Sequence, residues 1–113
     1  MNEIKYPLKM AQLHNHTDIS QFRMLDCIIK VENLVKHAAK MGFNGVAITD
    51  HESVSGYVKA IQALKELKSS NKVDDNFKLI LGNEIYLIDK LDYLEDGRPY
   101  CKTPFYHFIL LAK

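Results

Sequence analysis

Cysteine is scarce in this sequence: Cys27 and Cys101 stand far apart and form no Cys-x-x-Cys pair. Two free thiols in a reducing compartment follow as the default. No charge of one sign dominates, since the formal net charge is +1 and the lysines are scattered. That leaves no electrostatic footprint for autonomous nucleic-acid binding. No apolar run approaches the roughly 18 residues of a membrane span, and residues 1–5 lack the apolar core of a signal peptide, so no membrane association is expected and the simplest location is cytoplasmic. There is no glycine-rich phosphate loop, internal repeat or low-complexity segment.

What is present suits one modest domain: 113 residues, 47% hydrophobic and 26% charged. Such a chain is long enough for a core, although it lies near the lower end for an α/β architecture. The stretch around which the rest is organised is Leu13-His14-Asn15-His16-Thr17, with Asp18 and Asp26 behind it. If residues 9–14 form a strand, His14 and His16 lie two apart and share one face, where two imidazoles can converge on one metal ion or on neighbouring ions. A lone His-x-His occurs by chance. Its weight depends on where the other acids and histidines fall.

The lead-in over residues 1–8 contains Pro7, which favours an extended approach to that first strand. Residues 15–29 read as a loop ordered by its own contacts. Val31, Leu34, Val35, Ala38, Ala39 and Met41 then recur at helical spacing, and Gly42 supplies the stop. Gly45-Val46-Ala47-Ile48-Thr49 is a short apolar run, expected as a strand buried on both faces. Strand, helix, strand makes a βαβ unit and hence a parallel sheet. Asp50-His51-Glu52 follows at the carboxyl end of the second strand, the edge where ligands bind in parallel sheets. Asp50 or Ser53 could serve as a helix cap, but capping does not call for His51.

The next helix is expected to turn Val54, Tyr57, Val58, Ile61, Leu64 and Leu67 inward. After a polar connection over residues 69–76, Leu79-Ile80-Leu81-Gly82 reads as a third buried strand that delivers Glu84 at its end, with residues 85–88 continuing extended. Asp96-Gly97 marks a turn in an excursion resembling a hairpin, and residues 105–112 form a fourth apolar strand containing His107. Metal-binding groups thus keep arriving at the strands of one parallel sheet. In isolation His107 would be a core histidine; in this series it is a candidate ligand.

These segments resemble the PHP (polymerase and histidinol phosphatase) domain, most closely that at the amino terminus of bacterial DNA polymerase III alpha subunits. The resemblance is carried by Leu13-His14-Asn15-His16-Thr17, Leu25-Asp26, Val46-Ala47-Ile48-Thr49-Asp50-His51, Gly82-Asn83-Glu84-Ile85-Tyr86 and the run from His107 to Lys113. It implies an α/β fold, the amino-terminal portion of a distorted (β/α)7 barrel with mainly parallel strands, extending over residues 1–113. It also implies His14, His16, Asp26, His51, Glu84 and His107 as metal ligands, Glu84 as a bridging carboxylate and Asp50 as a group that orients a ligand. His14, His16, Asp50, His51 and Glu84 are the residues expected to serve catalysis. Up to three divalent ions, zinc, manganese or iron, are implied, and mixed imidazole and carboxylate ligands suit all three.

Two departures bear on this reading. Polymerase-type members place the aspartate closer to a preceding serine, whereas Gln21-Phe22-Arg23-Met24-Leu25 separate Ser20 from Asp26 here. Asp26 is the candidate and Asp18 the runner-up. The family's later ligands, a further histidine or cysteine and an Asp-x-His, have no counterpart before Lys113. An amino-terminal piece of a longer protein is therefore expected, weakly active alone and able to self-associate through the exposed edge of its last strand.

The implied chemistry is metal-assisted phosphoester hydrolysis. In the polymerase setting the substrate is a DNA 3′ terminus, giving 3′-5′ exonuclease proofreading within DNA replication, with the full-length polymerase and other replicase subunits as partners. The alternatives are a free-standing phosphatase acting on a small monoester such as histidinol phosphate, and a PHP scaffold without catalysis that serves as a docking module.

Overall fold

A computed structural model describes residues 9–22, 27–88 and 105–113. The lead-in with Pro7, Asp26, the turn at Asp96-Gly97 and Cys101 fall outside these residues; the Cys27 thiol donates to the His16 carbonyl at 3.1 Å.

Among the described residues four strands form one sheet in the order β1-β2-β3-β4, with β1 at Ala11–Gln12, β2 at Gly45–Ile48, β3 at Lys78–Leu87 and β4 at Tyr106–Leu111. Helix α1, Val31–Lys40, joins β1 to β2, and α2, Tyr57–Ser69, joins β2 to β3. Both β1–β2 and β2–β3 are parallel, as expected of successive βαβ units. The last pairing differs: β4 runs antiparallel to β3 from Gly82↔Leu111 to Leu87↔Tyr106. The sheet is mainly parallel, with an antiparallel edge strand.

Strand β3 is a single element of 10 residues that serves two partners. Its first half, Lys78 to Leu81, pairs with β2, and its second half, Gly82 to Leu87, pairs with β4. Gly82 stands at the changeover. A Cβ there would lie 2.6 Å from the Leu110 carbonyl oxygen and 2.9 Å from Thr49 Cγ2, so only glycine lets the three segments approach this closely.

Helix α1 forms where the apolar spacing places it, burying Val31, Val35 and Ala38 and ending at Gly42, whose φ of +80° suits glycine. Glu32 in its first turn and His37 and Lys40 in its last complement the helix dipole. Helix α2 keeps Leu64 and Leu67 on its inner face, as expected, and corrects the rest of the sequence reading. Val54 precedes it and is 58% exposed, Val58 is 65% exposed and Ile61 is 39% exposed, while Ala60, Ala63 and Leu67 face inward. Two alanines in the contact face let the helix backbone pack close, rotating the bulkier Val58 and Ile61 outward. These residues join Val46 and Ile48 of β2, Ile19 and Phe77 in one core. Strand β2 is buried along its whole length, as its uninterrupted apolar run predicts.

Strand β1 is shorter than residues 9–14. Beyond Gln12, side chains join the bonding: the Asn15 amide nitrogen Nδ2 donates to the carbonyls of Gln12 and Ala47, the Asn15 backbone N–H donates to Thr49 Oγ1 at 2.8 Å, and the Thr49 N–H returns a bond to the Asn15 carbonyl at 3.0 Å. This bends the chain out of the ladder where the two histidines begin. The loop that follows contains a 3-10 turn, Asp18–Phe22, and is closed by the Asp18 N–H donating to the Ile29 carbonyl at 2.8 Å.

Candidate metal centre

Glu84 lies in the part of β3 that extends past the end of β2, and its side chain is 2% exposed. Four imidazoles surround it. His14 Nε2 and His16 Nε2 lie 2.7 and 2.6 Å from Oε2, and 3.2 Å from each other. On the other side His107 Nδ1 bonds Oε1, with His51 Nδ1 3.8 Å from the same oxygen. The two carboxylate oxygens are thus divided between two pairs of histidines that come from three different segments of the chain.

A buried carboxylate ordinarily resists ionisation, and burial does act in that direction on Glu84. Hydrogen bonds from His107, His16 and His14, with the nearby charge of His51, outweigh it and bring the pKa from 4.5 down to about 2. The group is a carboxylate at neutral pH, with its full capacity to accept or ligate.

Two sets of donor atoms converge here: His14, His16 and Glu84, and His51, Glu84 and His107, each set lying within 4.8 Å. Ligands sharing one tetrahedral ion at about 2.0–2.2 Å stand roughly 3.3 Å from one another, which the 3.2 Å between His14 and His16 matches, while their contacts with Glu84, at 2.7 and 2.6 Å, are hydrogen-bond distances. The donor set therefore fits a borderline divalent ion, and Glu84 belongs to both groups. Exposure differs across the cluster: His51 is 3% exposed on the sheet side, while His14 is 57% exposed at the rim.

The segments that carry these side chains are tied together by groups that never touch Glu84. Asp50, wholly buried, accepts bonds from the Thr17 backbone N–H, from Thr17 Oγ1 at 2.8 Å and from Ser20 Oγ at 2.9 Å. Ser20 Oγ in turn accepts the His51 N–H at 3.1 Å. Asp50 is thus no helix cap; α2 starts after Gly56 without a side-chain cap. It fixes the backbone next to His16 and next to His51. Asn83 Nδ2 donates to the carbonyls of Asp50 and Ser53, and the Tyr57 hydroxyl donates to the Gly82 carbonyl at 2.7 Å. Burial first, and then the charge of Asp50, raise the Tyr57 pKa, which keeps that hydroxyl protonated as a donor.

Of the sequence-predicted site residues, the structure brings together His14, His16, His51, Glu84 and His107 and places Asp50 behind them. Asp26 lies outside the described residues, and Asp18 is in neither set of converging donors. Thr17, Ser20, Asn83 and Tyr57 went unread as supporting residues. A hydroxyl pair beside a buried aspartate was the signal available for the first two. A cavity of about 870 Å³ lies elsewhere, lined by Lys36, Phe43, Lys72 and Phe77 around the ends of the helices, away from the cluster.

Fold and cluster together define a class, an α/β domain with histidines and a carboxylate gathered beyond the carboxyl ends of its parallel strands. Within that class the chain belongs to the PHP domain family, whose model matches residues 12–113. It is 45% identical over 103 residues to a DNA-directed DNA polymerase of Bacillus phage SPbeta, covering 91% of this chain and 8% of that protein. It is 32% identical over 105 residues to the DNA polymerase III subunit alpha of Borreliella burgdorferi, covering 93% of this chain and 8% of that protein. A crystal structure of a protein from Bifidobacterium adolescentis, provisionally named a metal-dependent phosphoesterase, aligns with a TM-score of 0.55 at 29% identity, covering 74% of this chain and 24% of that one. The chain therefore spans about 8% of the length of these polymerase relatives.

Proposed function

We propose that this chain is part of a metal-dependent phosphoesterase site in a DNA polymerase of the polymerase III alpha type, acting on a DNA 3′ terminus. The observation that carries the reading is the division of the two Glu84 oxygens between His14 with His16 and His51 with His107. In this reading those five residues would hold divalent ions, Glu84 would serve as the carboxylate shared between both groups, and Asp26 or Asp18 would add a further carboxylate. The kinship to polymerases supports the nucleic-acid substrate, and the phosphoesterase neighbour supports the reaction class.

Bound divalent ions supply Lewis acidity toward a phosphoryl oxygen and acidify water. The chain's own groups do the rest. Glu84 stays ionised and contributes negative charge that favours cations in the cluster. Asp50, through Thr17 and Ser20, keeps the backbones of His16 and His51 in register, so that the imidazoles are held before substrate arrives. His14 stands at the exposed rim of the cluster. The long edge of β4 supports pairing with a further strand, from a replicase partner or a second copy.

The test is metal content by mass spectrometry on the wild type and the double variant His14→Ala/His16→Ala, with removal of nucleotides from the 3′ end of a labelled oligonucleotide followed in parallel. Lower metal content together with loss of cleavage is expected, since the set of His51, Glu84 and His107 is left in place. Unchanged metal content in the double variant would falsify the ligand assignment.

A further inference from the structure

The face of the sheet that carries Glu84 also carries two aromatic rings. Tyr86 is two residues beyond Glu84 on β3 and pairs with His107 of β4, while Phe105 lies two residues before His107. In extended chain that spacing puts all four side chains on one side. The rings touch. Tyr86 and Phe105 have centroids 4.6 Å apart at 58°, and Tyr86 meets His107 edge-on at 5.1 Å. Phe105 is 6.0 Å from His107, inclined at 31°. Tyr86 also lies nearly parallel to buried His51, at 6.2 Å and 28°.

Planar groups therefore run outward from the cluster, from His51 through Tyr86 to Phe105, where the series ends on a ring that is 52% exposed. An exposed phenyl ring held against a second ring offers a π face with little conformational freedom left to lose. Such a surface does nothing for a phosphate, and an aliphatic alcohol gains little from it. A nucleobase gains most, because every base has a π face and stacks on aromatic side chains with little regard to sequence.

We propose that Phe105, backed by Tyr86, is a stacking platform for the base of a nucleotide whose phosphate is directed toward Glu84 and His107. This rests on the phosphoesterase reading and adds a base subsite to it: the terminal base of the substrate is held on Phe105, and must be unpaired and free to stack. The reacting phosphate then lies inward at His107 and the base outward on Phe105.

The experiment measures equilibrium binding of thymidine 5′-monophosphate and of 2-deoxyribose 5-phosphate by calorimetry, in excess manganese, to the wild type, Phe105→Ala and Phe105→Trp. The second ligand keeps sugar and phosphate and lacks only the base. The wild type should favour the nucleotide; Phe105→Ala should lose about tenfold in nucleotide affinity while its sugar-phosphate affinity stays unchanged, and Phe105→Trp should restore the difference. Phe105 precedes the first β4 pair and stands outside the buried core, and circular dichroism of each variant confirms the fold before binding is compared. Equal affinity of the wild type for the two ligands, or a parallel loss of both in Phe105→Ala, overturns the platform. Hydrolysis of bis(p-nitrophenyl) phosphate in the same samples separates the two readings. Turnover without base discrimination sinks the platform alone, whereas base discrimination without turnover upholds the platform and counts against the phosphoesterase.

Discussion

His51 and Glu84 face each other in an isolated parallel bridge, just past the last regular pair of the β2–β3 ladder. The Glu84 N–H donates to the Asp50 carbonyl at 3.1 Å, and the Glu52 N–H donates to the Glu84 carbonyl at 2.8 Å. Sheet bonding thus carries on for one more step after β2 has ended, and that step sets a buried imidazole beside a buried carboxylate. The backbone makes the turn with Glu52 in the left-handed region at a φ of 47°.

Because Glu84 belongs to both donor sets, Glu84→Gln should weaken divalent-ion binding at both, while His107→Ala should weaken one. Calorimetric titration with zinc distinguishes the two by stoichiometry. Retention of the wild-type number of ions by Glu84→Gln would remove the bridging role.

Asp50→Asn replaces an acceptor of three bonds by a group that presents N–H toward at least one donor. The expected cost is about 1–3 kcal/mol of stability with ions chelated. Loosening of the His16 and His51 backbones should lower metal affinity by roughly 10- to 100-fold. Urea unfolding in chelator and metal titration check the two effects separately, and an unaltered affinity would mean that the loops hold their positions without Asp50.

The acid limb of stability should report Glu84 when ions are chelated. Its pKa in the fold, about 2, lies below the ordinary 4.5, so the stabilisation is complete above pH 4.5 and is lost as pH falls toward 2. The gap in unfolding free energy between wild type and Glu84→Gln should shrink across that window. A gap independent of pH would show that the carboxylate charge contributes nothing.

Gly82→Ala should cost about 1–3 kcal/mol, because the new carbon meets the Leu110 carbonyl oxygen at 2.6 Å. Tyr57→Phe, which removes only the hydroxyl bonded to the Gly82 carbonyl, should cost about 1 kcal/mol. Thermal or urea unfolding ranks the two; equal effects would contradict the steric account.

The sequence made the βαβ frame and the placement of His14, His16, His51, Glu84 and His107 legible, because each sits directly at an apolar run that reads as a strand. The antiparallel course of β4 was not legible: an apolar run of that length suits either polarity, and only the register with Gly82 to Leu87 decides it. The inner face of α2 was misread for a related reason. Periodicity rewards bulky residues such as Val58 and Ile61, whereas close packing against the sheet and α1 selects Ala60 and Ala63. The bonds from Thr17 and Ser20 to Asp50 span 33 and 30 residues, a pairing that no local pattern encodes.

The shared carboxylate also has a meaning for how the molecule assembles. His14, His51, Glu84 and His107 lie on successive segments, so the cluster is incomplete until β4 has docked beside β3. Its contacts are among the most distant in sequence, the kind that form late because long loops must close first. An ion that needs both sides of Glu84 would select chains in which the last strand is home, and metal loading would then report folding of the whole sheet.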